Sequence, residues 1–458
     1  MIVVCAVAVG AVIVAVIQPG AASHGGTWSA PATLARCSGP GTPHVVFGAD
    51  SPFHGVGHGA IVFNTRSGCR SGGPGPRVAA IASDEVSTPP EQPRTASGRS
   101  VQLTRLTAAA ATSHGQIVLV GEASRKVHPT PAALLSEGPA EGPFTVATPL
   151  GGASAPLALT TAYLGDVAIA FSRERSLPAE GLGDGVQLRM QRYFASRFAS
   201  AGAIVGHGGA QRALSLALDY RTDALAVWWR AGYLYARERH GRGTLAPLQR
   251  IAAAGSHVEI AAVISDDGRA ILAWMDRHPH TAELYLDISG PDMRLGRPRL
   301  LERLRFPRAP PPPDGSLRLV RLSTEKVLMA WTGTDHEGYV VRAAGIGLDG
   351  IRTESTISTP GAGAVLLALA TGPRGDAVAL WSNRRPPTAG GATGPQTLFA
   401  ARGVPSTRGA LRFGPPEQLA PPGRYSGADL AIDPDSDRAI ASWREQDGRI
   451  LYAVRAQP

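Results

Sequence analysis

Lysine is almost absent from this chain: apart from Lys126 and Lys326, all of the 45 basic residues are arginine. Charged residues make up only 18% of the sequence and aromatic residues only 6%. The arginines are scattered, and no basic stripe with interleaved aromatic residues is present, which excludes the usual pattern of a nucleic-acid-binding surface. The net charge of +9 still makes an anionic partner of another kind conceivable.

Motifs for nucleophilic, phosphate-binding and metal chemistry are also missing. No Gly-rich phosphate loop, nucleophile elbow or Cys/His dyad is present. The pairs His54/His58 and His278/His280 have no further ligands at the spacing of a zinc site. The sequence therefore predicts no cofactor and no metal. It favours a non-catalytic protein and leaves an enzyme as the alternative.

The first residues of the chain predict export. Residues 1–17 are almost entirely Val, Ile and Ala, and a proline, a glycine and small residues follow up to Ser23. This pattern is typical of a signal peptide, although the basic n-region is missing. A retained membrane anchor is the alternative. It is the less favoured one, because the apolar run is shorter than the roughly 20 residues that a helix needs to span a bilayer. We expect a secreted or cell-envelope protein, with residues 1–23 as signal peptide or anchor and residues 28–458 as a single folded domain.

Cysteine is scarce, with three in the whole chain. Cleavage near Ser23 would remove Cys5 and leave Cys37 and Cys69. Two thiols in an oxidising compartment most often pair, so the sequence predicts a Cys37–Cys69 disulfide. Two free buried thiols are the alternative.

Glycine and proline, in contrast, are abundant, and they separate short apolar segments that repeat one four-part order. The clearest copy begins with the apolar segment 258–264, the turn Ser265–Gly268 and a second apolar segment, 269–274. Its third segment is 283–288, and its fourth contains Leu295, Pro298 and Leu301. The second segment of each copy ends on a large apolar residue. These anchors are Phe63, Val120, Phe171, Trp228, Trp274, Trp331, Trp381 and Trp443. Four strands per unit at this period predict an all-β, eight-bladed β-propeller with antiparallel blades, and a seven-bladed ring is the alternative.

The two ends of the chain complement each other. The last copy stops after its third segment, 450–455, and residues 28–34 have the spacing of a fourth segment with no copy before them. We therefore expect the N-terminal strand to pair with 450–455 and to close the ring, which removes an open sheet edge.

The Trp-ended second segments, and third segments such as Tyr452-Ala-Val-Arg455, resemble those of secreted bacterial β-propellers of unassigned function. The resemblance covers residues 28–458. It implies the architecture and no activity. Sialidases are similar only in having arginines near acids, because their Ser-x-Asp-x-Gly-x-x-Trp box is absent from this sequence.

In a propeller, the loops between second and third strands lie on the same face as the connections between blades. Polar residues recur in these loops and form the predicted binding surface. They are Arg173, Glu174, Asp276, His278, Asp335, His336, Arg385, Arg444 and Glu445. No catalytic residue can be named, because a glycosidase needs two carboxylates at a defined separation and the sequence does not give distances.

Two functions follow from this surface. The first is non-catalytic binding or scaffolding, outside the cell or at its envelope, with a glycan such as an anionic polysaccharide, or an envelope protein, as partner. The alternative is a glycoside hydrolase or lyase that acts on acidic glycans through the arginines and carboxylates of the same loops. An enzyme would have to bring a carboxylate pair and an arginine together around the axis.

Overall fold

A computed structural model gives the fold of the chain. It describes residues 26–455 apart from 49–58, 68, 70–72, 83–84, 102, 113–114, 124–132, 141, 151–152, 162–165, 174–184, 192–202, 205–210, 242, 291, 306–314, 324–325, 337, 348–349, 385–393 and 406–410. Within these ranges the chain is all-β, and no helix long and apolar enough to cross a membrane is found. The predicted signal peptide or anchor lies outside the described residues.

The strands form eight small antiparallel sheets, the blades. Blade 1 consists of β2 (His44–Phe47), β3 (Gly59–Thr65), β4 (Gly75–Ala82) and β5 (Glu85–Val86). Blade 2 consists of β6 (Leu103–Ala111), β7 (Gln116–Ala123), β8 (Ala133–Pro139) and β9 (Thr148–Pro149). Blade 3 consists of β10 (Ala153–Thr161), β11 (Val167–Arg173), β12 (Gly185–Gln191) and β13 (Ala203–Ile204). Blade 4 consists of β14 (Gln211–Leu218), β15 (Ala224–Arg230), β16 (Tyr233–His240), β17 (Thr244–Leu245) and β18 (Gln249–Ala253).

The other four blades follow in chain order. Blade 5 consists of β19 (Val258–Ile264), β20 (Ala270–Arg277), β21 (Thr281–Ile288) and β22 (Arg299–Arg305). Blade 6 consists of β23 (Leu317–Ser323), β24 (Lys326–Thr334), β25 (Tyr339–Gly347) and β26 (Gly350–Thr356). Blade 7 consists of β27 (Ala364–Thr371), β28 (Ala377–Arg384), β29 (Gln396–Pro405), β30 (Leu411–Phe413) and β31 (Glu417–Gly423). Blade 8 consists of β32 (Tyr425–Ile432), β33 (Ala439–Glu445), β34 (Ile450–Arg455) and the N-terminal strand β1 (Ala32–Ala35).

The first strands of neighbouring blades pack against one another, and β2 of blade 1 packs against β32 of blade 8. The eight-bladed propeller predicted from the sequence is therefore confirmed, and the seven-bladed alternative is wrong. In blade 8, β1 pairs antiparallel with β34, and Trp28 bridges to Arg455. One strand from the N-terminal part of the chain thus completes a sheet of three from the C-terminal part.

Each interface between blades has a core of its own, because successive side chains of a second strand point to opposite neighbours. Trp228 packs with Ala168 and Ala170 of blade 3, and Leu225 and Val227 belong to the cluster shared with blade 5. All of the predicted tryptophan and phenylalanine anchors are fully buried. This double-sided burial explains why the second strands are continuous apolar runs rather than alternating ones.

Blade 2 departs from this pattern. Ile117 and Leu119 face blade 1, so the predicted anchor Val120 faces blade 3 instead of the preceding blade. The position equivalent to the tryptophans is Gly121, where a Cβ atom would lie 2.2 Å from the carbonyl oxygen of Arg105. Phe144, from a different part of the blade, contributes the large ring to this interface. The anchor predicted for blade 2 was therefore one residue out of phase.

The fourth strands of blades 4 and 7 are divided in two. Both β17 and β18 pair with β16, and both β30 and β31 pair with β29. Pro247 lies in the first gap, and Pro415 and Pro416 lie in the second. Because proline cannot donate a hydrogen bond to the sheet, the pairing is interrupted there. The sequence analysis did not predict this division.

Candidate functional site

The ring has two faces with different contents. The loop face is the face of the connections between second and third strands, such as 278–280 and 446–449. The turn face is the opposite one, where first strands turn into second strands, as at Ser265–Gly268. Cys37 and Cys69 lie on the loop face and are joined by a disulfide bond, with their Cα atoms 5.8 Å apart. This bond connects the segment after β1 of blade 8 to a loop of blade 1.

The predicted binding residues are only partly within the described chain. Glu174 and Arg385 lie outside it, and Arg173 is described only as the last residue of β11. The remaining six lie at the loop-face ends of second strands or in the loops that follow them. They are Asp276, His278, Asp335, His336, Arg444 and Glu445.

The loop-face carboxylates form hydrogen bonds or ion pairs with groups of the neighbouring loops and turns. Asp276 Oδ2 accepts a hydrogen bond of 2.9 Å from the backbone N–H of Gly255, just before blade 5. Asp335 Oδ1 accepts one of 2.8 Å from the N–H of Gly338 and thereby closes the turn between β24 and β25. Glu445 Oε2 lies 2.6 Å from Arg449 Nη2. Burial raises the pKa of Glu445, and Arg449 opposes that shift.

Of the basic members of the set, the two histidines are exposed and Arg444 is half-buried. His278 is about half exposed, and its Nε2 lies 4.0 Å from Asp276 Oδ2. Arg444 donates from Nε to Ser38 Oγ at 2.9 Å and from Nη1 to Ser426 Oγ at 2.7 Å. Burial, and then the nearby Arg66, lower the pKa of Arg444. Among the described residues, no contact joins two of the predicted carboxylates from different blades.

Tyr233, the first residue of β16, is a surface residue outside the predicted binding set. It follows the two-residue turn Ala231-Gly232, in which both residues have positive φ angles (48° and 86°). Its side chain is exposed, and the Arg250 guanidinium lies over its ring at 4.9 Å from the centroid. Because the turn is short, no further loop residues shield the Tyr233 side chain, and it stays partly exposed to solvent at the loop face beside Arg250. The sequence feature that could have indicated this exposed residue is an aromatic residue directly after a two-residue hairpin turn.

On the turn face, the axial channel widens into a cavity of about 780 Å³. Its wall consists of the last residues of the innermost strands, contributed by seven of the eight blades. Most of these residues are apolar, including Leu218, Val263, Leu322 and Ile432. Thr160, Thr161 and Thr371 add hydroxyl groups, and Asp266, Arg321 and Arg374 are the charged members of the described lining.

The charged residues of this cavity join neighbouring blades. Arg321 Nη1 of blade 6 forms a close ion pair with Asp266 Oδ1 of blade 5. Arg374 Nε of blade 7 lies 2.6 Å from Asp437 Oδ2 of blade 8. Burial raises the pKa of Asp437, as does the nearby Asp376, while Arg374 opposes the shift. The segment Ser265–Gly268 was interpreted from sequence as a turn only, so its contact with the neighbouring blade was missed.

Metal ligands do not cluster in the described part of the chain: it holds no group of three His, Cys, Asp or Glu residues close enough to share an ion.

No family model matches this chain, and no curated protein matches it. Among solved structures, it is similar to an ulvan lyase of polysaccharide lyase family 25 (8% identity, 80% of this chain and 94% of the other, TM-score 0.44). It is similar to the NanB sialidase from Streptococcus pneumoniae (9%, 94% and 98%, 0.40). It is also similar to the β-propeller domain of the Trilobed protease from Pyrococcus furiosus (11%, 76% and 94%, 0.43). Likenesses this distant carry no argument about ligand or activity.

Proposed function

We propose that this protein is a non-catalytic binding propeller that holds a glycan on its loop face, outside the cell or at its envelope. The main support for this proposal is that the loop-face acids are occupied by contacts within the protein. Asp276 and Asp335 accept hydrogen bonds from backbone N–H groups, and Glu445 is paired with Arg449. Acids that hold the backbone in this way stabilise the loops, and they are poorly placed to exchange protons with a substrate.

The groups that remain accessible suit a hydroxyl-rich ligand. His278 and Arg444 offer N–H groups to hydroxyl or carboxylate oxygens, and the exposed ring of Tyr233 offers an apolar face to a sugar ring. Arginine matches carboxylate groups well, so a polyuronate is the preferred class within the glycans. The location outside the cell rests on the predicted signal peptide or anchor.

The test is a binding titration with a polyuronate and with a neutral glucan. We expect the double variant Arg173→Glu with Arg444→Glu to weaken polyuronate binding about tenfold or more, and added salt to weaken binding to the wild type. The matched control is Arg221→Glu with Arg294→Glu, two exposed arginines of the turn face. Loss of binding in the control pair and retention in the loop-face pair would mean that the other side of the molecule is used.

The alternative, a hydrolase or lyase for acidic glycans, needs a carboxylate pair beside an arginine. Asp376 and Asp437 come close together near Arg374, since their Oδ1 atoms lie 2.4 and 3.1 Å from the position that a Cβ atom on Gly372 would take. Both aspartates are about 95% buried or more, so a glycosidic bond cannot reach them in this arrangement. We expect no new reducing ends and no unsaturated uronate absorbance when the protein is incubated with polyuronate. Their appearance would favour the alternative.

A further inference from the structure

We propose that the axial cavity of the turn face is a second binding site, for a small organic monoanion with an apolar body. The proposal is independent of glycan binding on the loop face. The cavity has about 780 Å³, which lies within the range of roughly 300–1,000 Å³ common for small-molecule sites. It is built mainly from the ends of innermost strands, and the turns after two of them contribute Asp266 and Arg374.

The wall of the cavity combines polar and apolar surface, and the apolar part can receive an apolar group. Val263, Leu319 and Leu322 line it and remain only half-buried, although each belongs to an innermost strand. Side chains of this type are expected to be sealed in a core, and here part of their surface faces the channel. An apolar ligand group that covers this surface would remove it from water, which is the main driving force for binding such groups.

The cationic group that the cavity offers to a ligand is the exposed part of Arg374. The Asp266–Arg321 ion pair is neutral as a unit, and its two side chains are mostly covered (24% and 18% exposed). Arg374 differs, because 70% of its side chain is exposed while its Nε is held by the buried Asp437. This contact orients the guanidinium and leaves its outer N–H groups accessible.

A guanidinium held from one side is suited to a carboxylate on the other. Its planar donors match two carboxylate oxygens, and a charge-assisted hydrogen bond is stronger than a neutral one. The ligand class is therefore a monocarboxylate with an apolar chain or ring that enters the cavity below Arg374.

Octanoate is the probe for this site, with octan-1-ol as its uncharged analogue, and calorimetric titration is the measurement. We expect Arg374→Gln to weaken octanoate binding about tenfold, which is the usual effect of losing a hydrogen bond to a charged group. Binding of octan-1-ol should change by less than about twofold, because it does not depend on the charge. The matched control is Arg424→Gln, an exposed arginine of the loop face that contacts Gln446, and it should leave both affinities unchanged.

Filling the cavity provides a second, charge-independent test. Leu322→Trp and Val263→Trp place a large ring into the channel from blades 6 and 5, and each should abolish binding of both probes in a protein that still melts cooperatively. If one variant does not fold, the other decides. The proposal is overturned if octanoate does not bind the wild type at millimolar concentration, or if Arg374→Gln and the folded tryptophan variant bind it as tightly as the wild type. Polyuronate binding to the same variants reports on the loop face separately.

Discussion

The two faces of the ring connect neighbouring blades in different ways. On the loop face, a buried polar side chain of one blade accepts hydrogen bonds from the backbone of the next. Glu259 Oε1 of blade 5 accepts from the N–H groups of Gly315 (2.8 Å) and Leu317 (3.1 Å) at the start of blade 6. Asn64 Oδ1 of blade 1 accepts from Leu106 of blade 2 at 2.7 Å. On the turn face, the connections are side-chain ion pairs beside the cavity, such as Arg321–Asp266.

Because of this difference, the connections of the loop face should contribute more to the stability of the ring than those of the turn face. A buried acid that satisfies backbone N–H groups is costly to remove, because the donors and cations around it lose their partner. A partly exposed ion pair contributes far less, since water replaces the lost contact. The loop-face connections therefore fix the angle between blades, and the turn face is free to keep an open cavity without loss of the ring.

The sharpest test of this contrast compares two acids at the same interface, between blades 5 and 6. Glu259→Ala should lower the free energy of unfolding by about 3–5 kcal/mol, because Arg277 and Arg318 lose their shared partner. Asp266→Ala, on the turn face, should lower it by about 1 kcal/mol or less. Denaturant unfolding of both variants gives the two values. Equal losses would remove the distinction between the faces.

The disulfide of the loop face should have the next largest effect. Replacing Cys37 and Cys69 by serine opens a link between residues 32 apart in sequence, and the chain-entropy model assigns about 3.7 kcal/mol to a loop of this size. The measurement is the difference in unfolding free energy between the oxidised wild type and the double variant. A reduced wild type that is as stable as the oxidised one would show that blade 8 and blade 1 hold together without the link.

The architecture could be predicted from sequence because the second strands are buried on both sides. Burial on two sides requires an apolar run, and the wide gap between blades requires a large ring at its end, as Trp274 and Trp381 show. Blade 2 broke the pattern because its large ring, Phe144, comes from a distant part of the blade, while Gly121 occupies the usual anchor position. A ring supplied from elsewhere in the chain leaves no periodic signal.

The binding surfaces were harder to predict. The loop-face positions followed from topology, but the sequence could not show that Asp276 and Asp335 are engaged with backbone N–H groups. The turn-face cavity was missed because Val263 and Leu322 look the same in sequence whether they face a neighbouring blade or the channel. Only the curvature of the ring distinguishes these two environments.

Glu238, in the third strand of blade 4, gives the turn face a pH dependence of its own. Burial raises its pKa from 4.5 to about 7, and the nearby Asp292 and Asp223 add to the shift, whereas the hydrogen bond from Gln249 opposes it. The folded protein therefore retains a proton that the unfolded chain has released between pH 4.5 and 7. Its stability should fall as the pH rises through this window.

Glu238→Gln removes this penalty and keeps an acceptor for Gln249. We expect the variant to be more stable than the wild type by about 3 kcal/mol at pH 8 and equal to it at pH 4. Denaturant unfolding of the wild type and the variant at the two pH values measures the difference. His240, which lies beside this carboxylate, is the same in both proteins. A variant that is less stable at pH 8 would mean that the ionised carboxylate is stabilised by its surroundings.

The smallest effect concerns an exposed ion pair of the loop face and tests whether burial, rather than the face itself, sets the energy. Arg105 Nη1 lies 3.3 Å from Glu122 Oε1 within blade 2, and both side chains are 57% exposed. If the strength of Glu259 comes from burial and from its backbone donors, this pair should contribute little. A double-mutant cycle with Arg105→Ala and Glu122→Ala should give a coupling of about 0.5 kcal/mol or less, and the coupling should vanish at high salt. A coupling near that of a buried pair would show that position on the loop face stabilises the ring by itself.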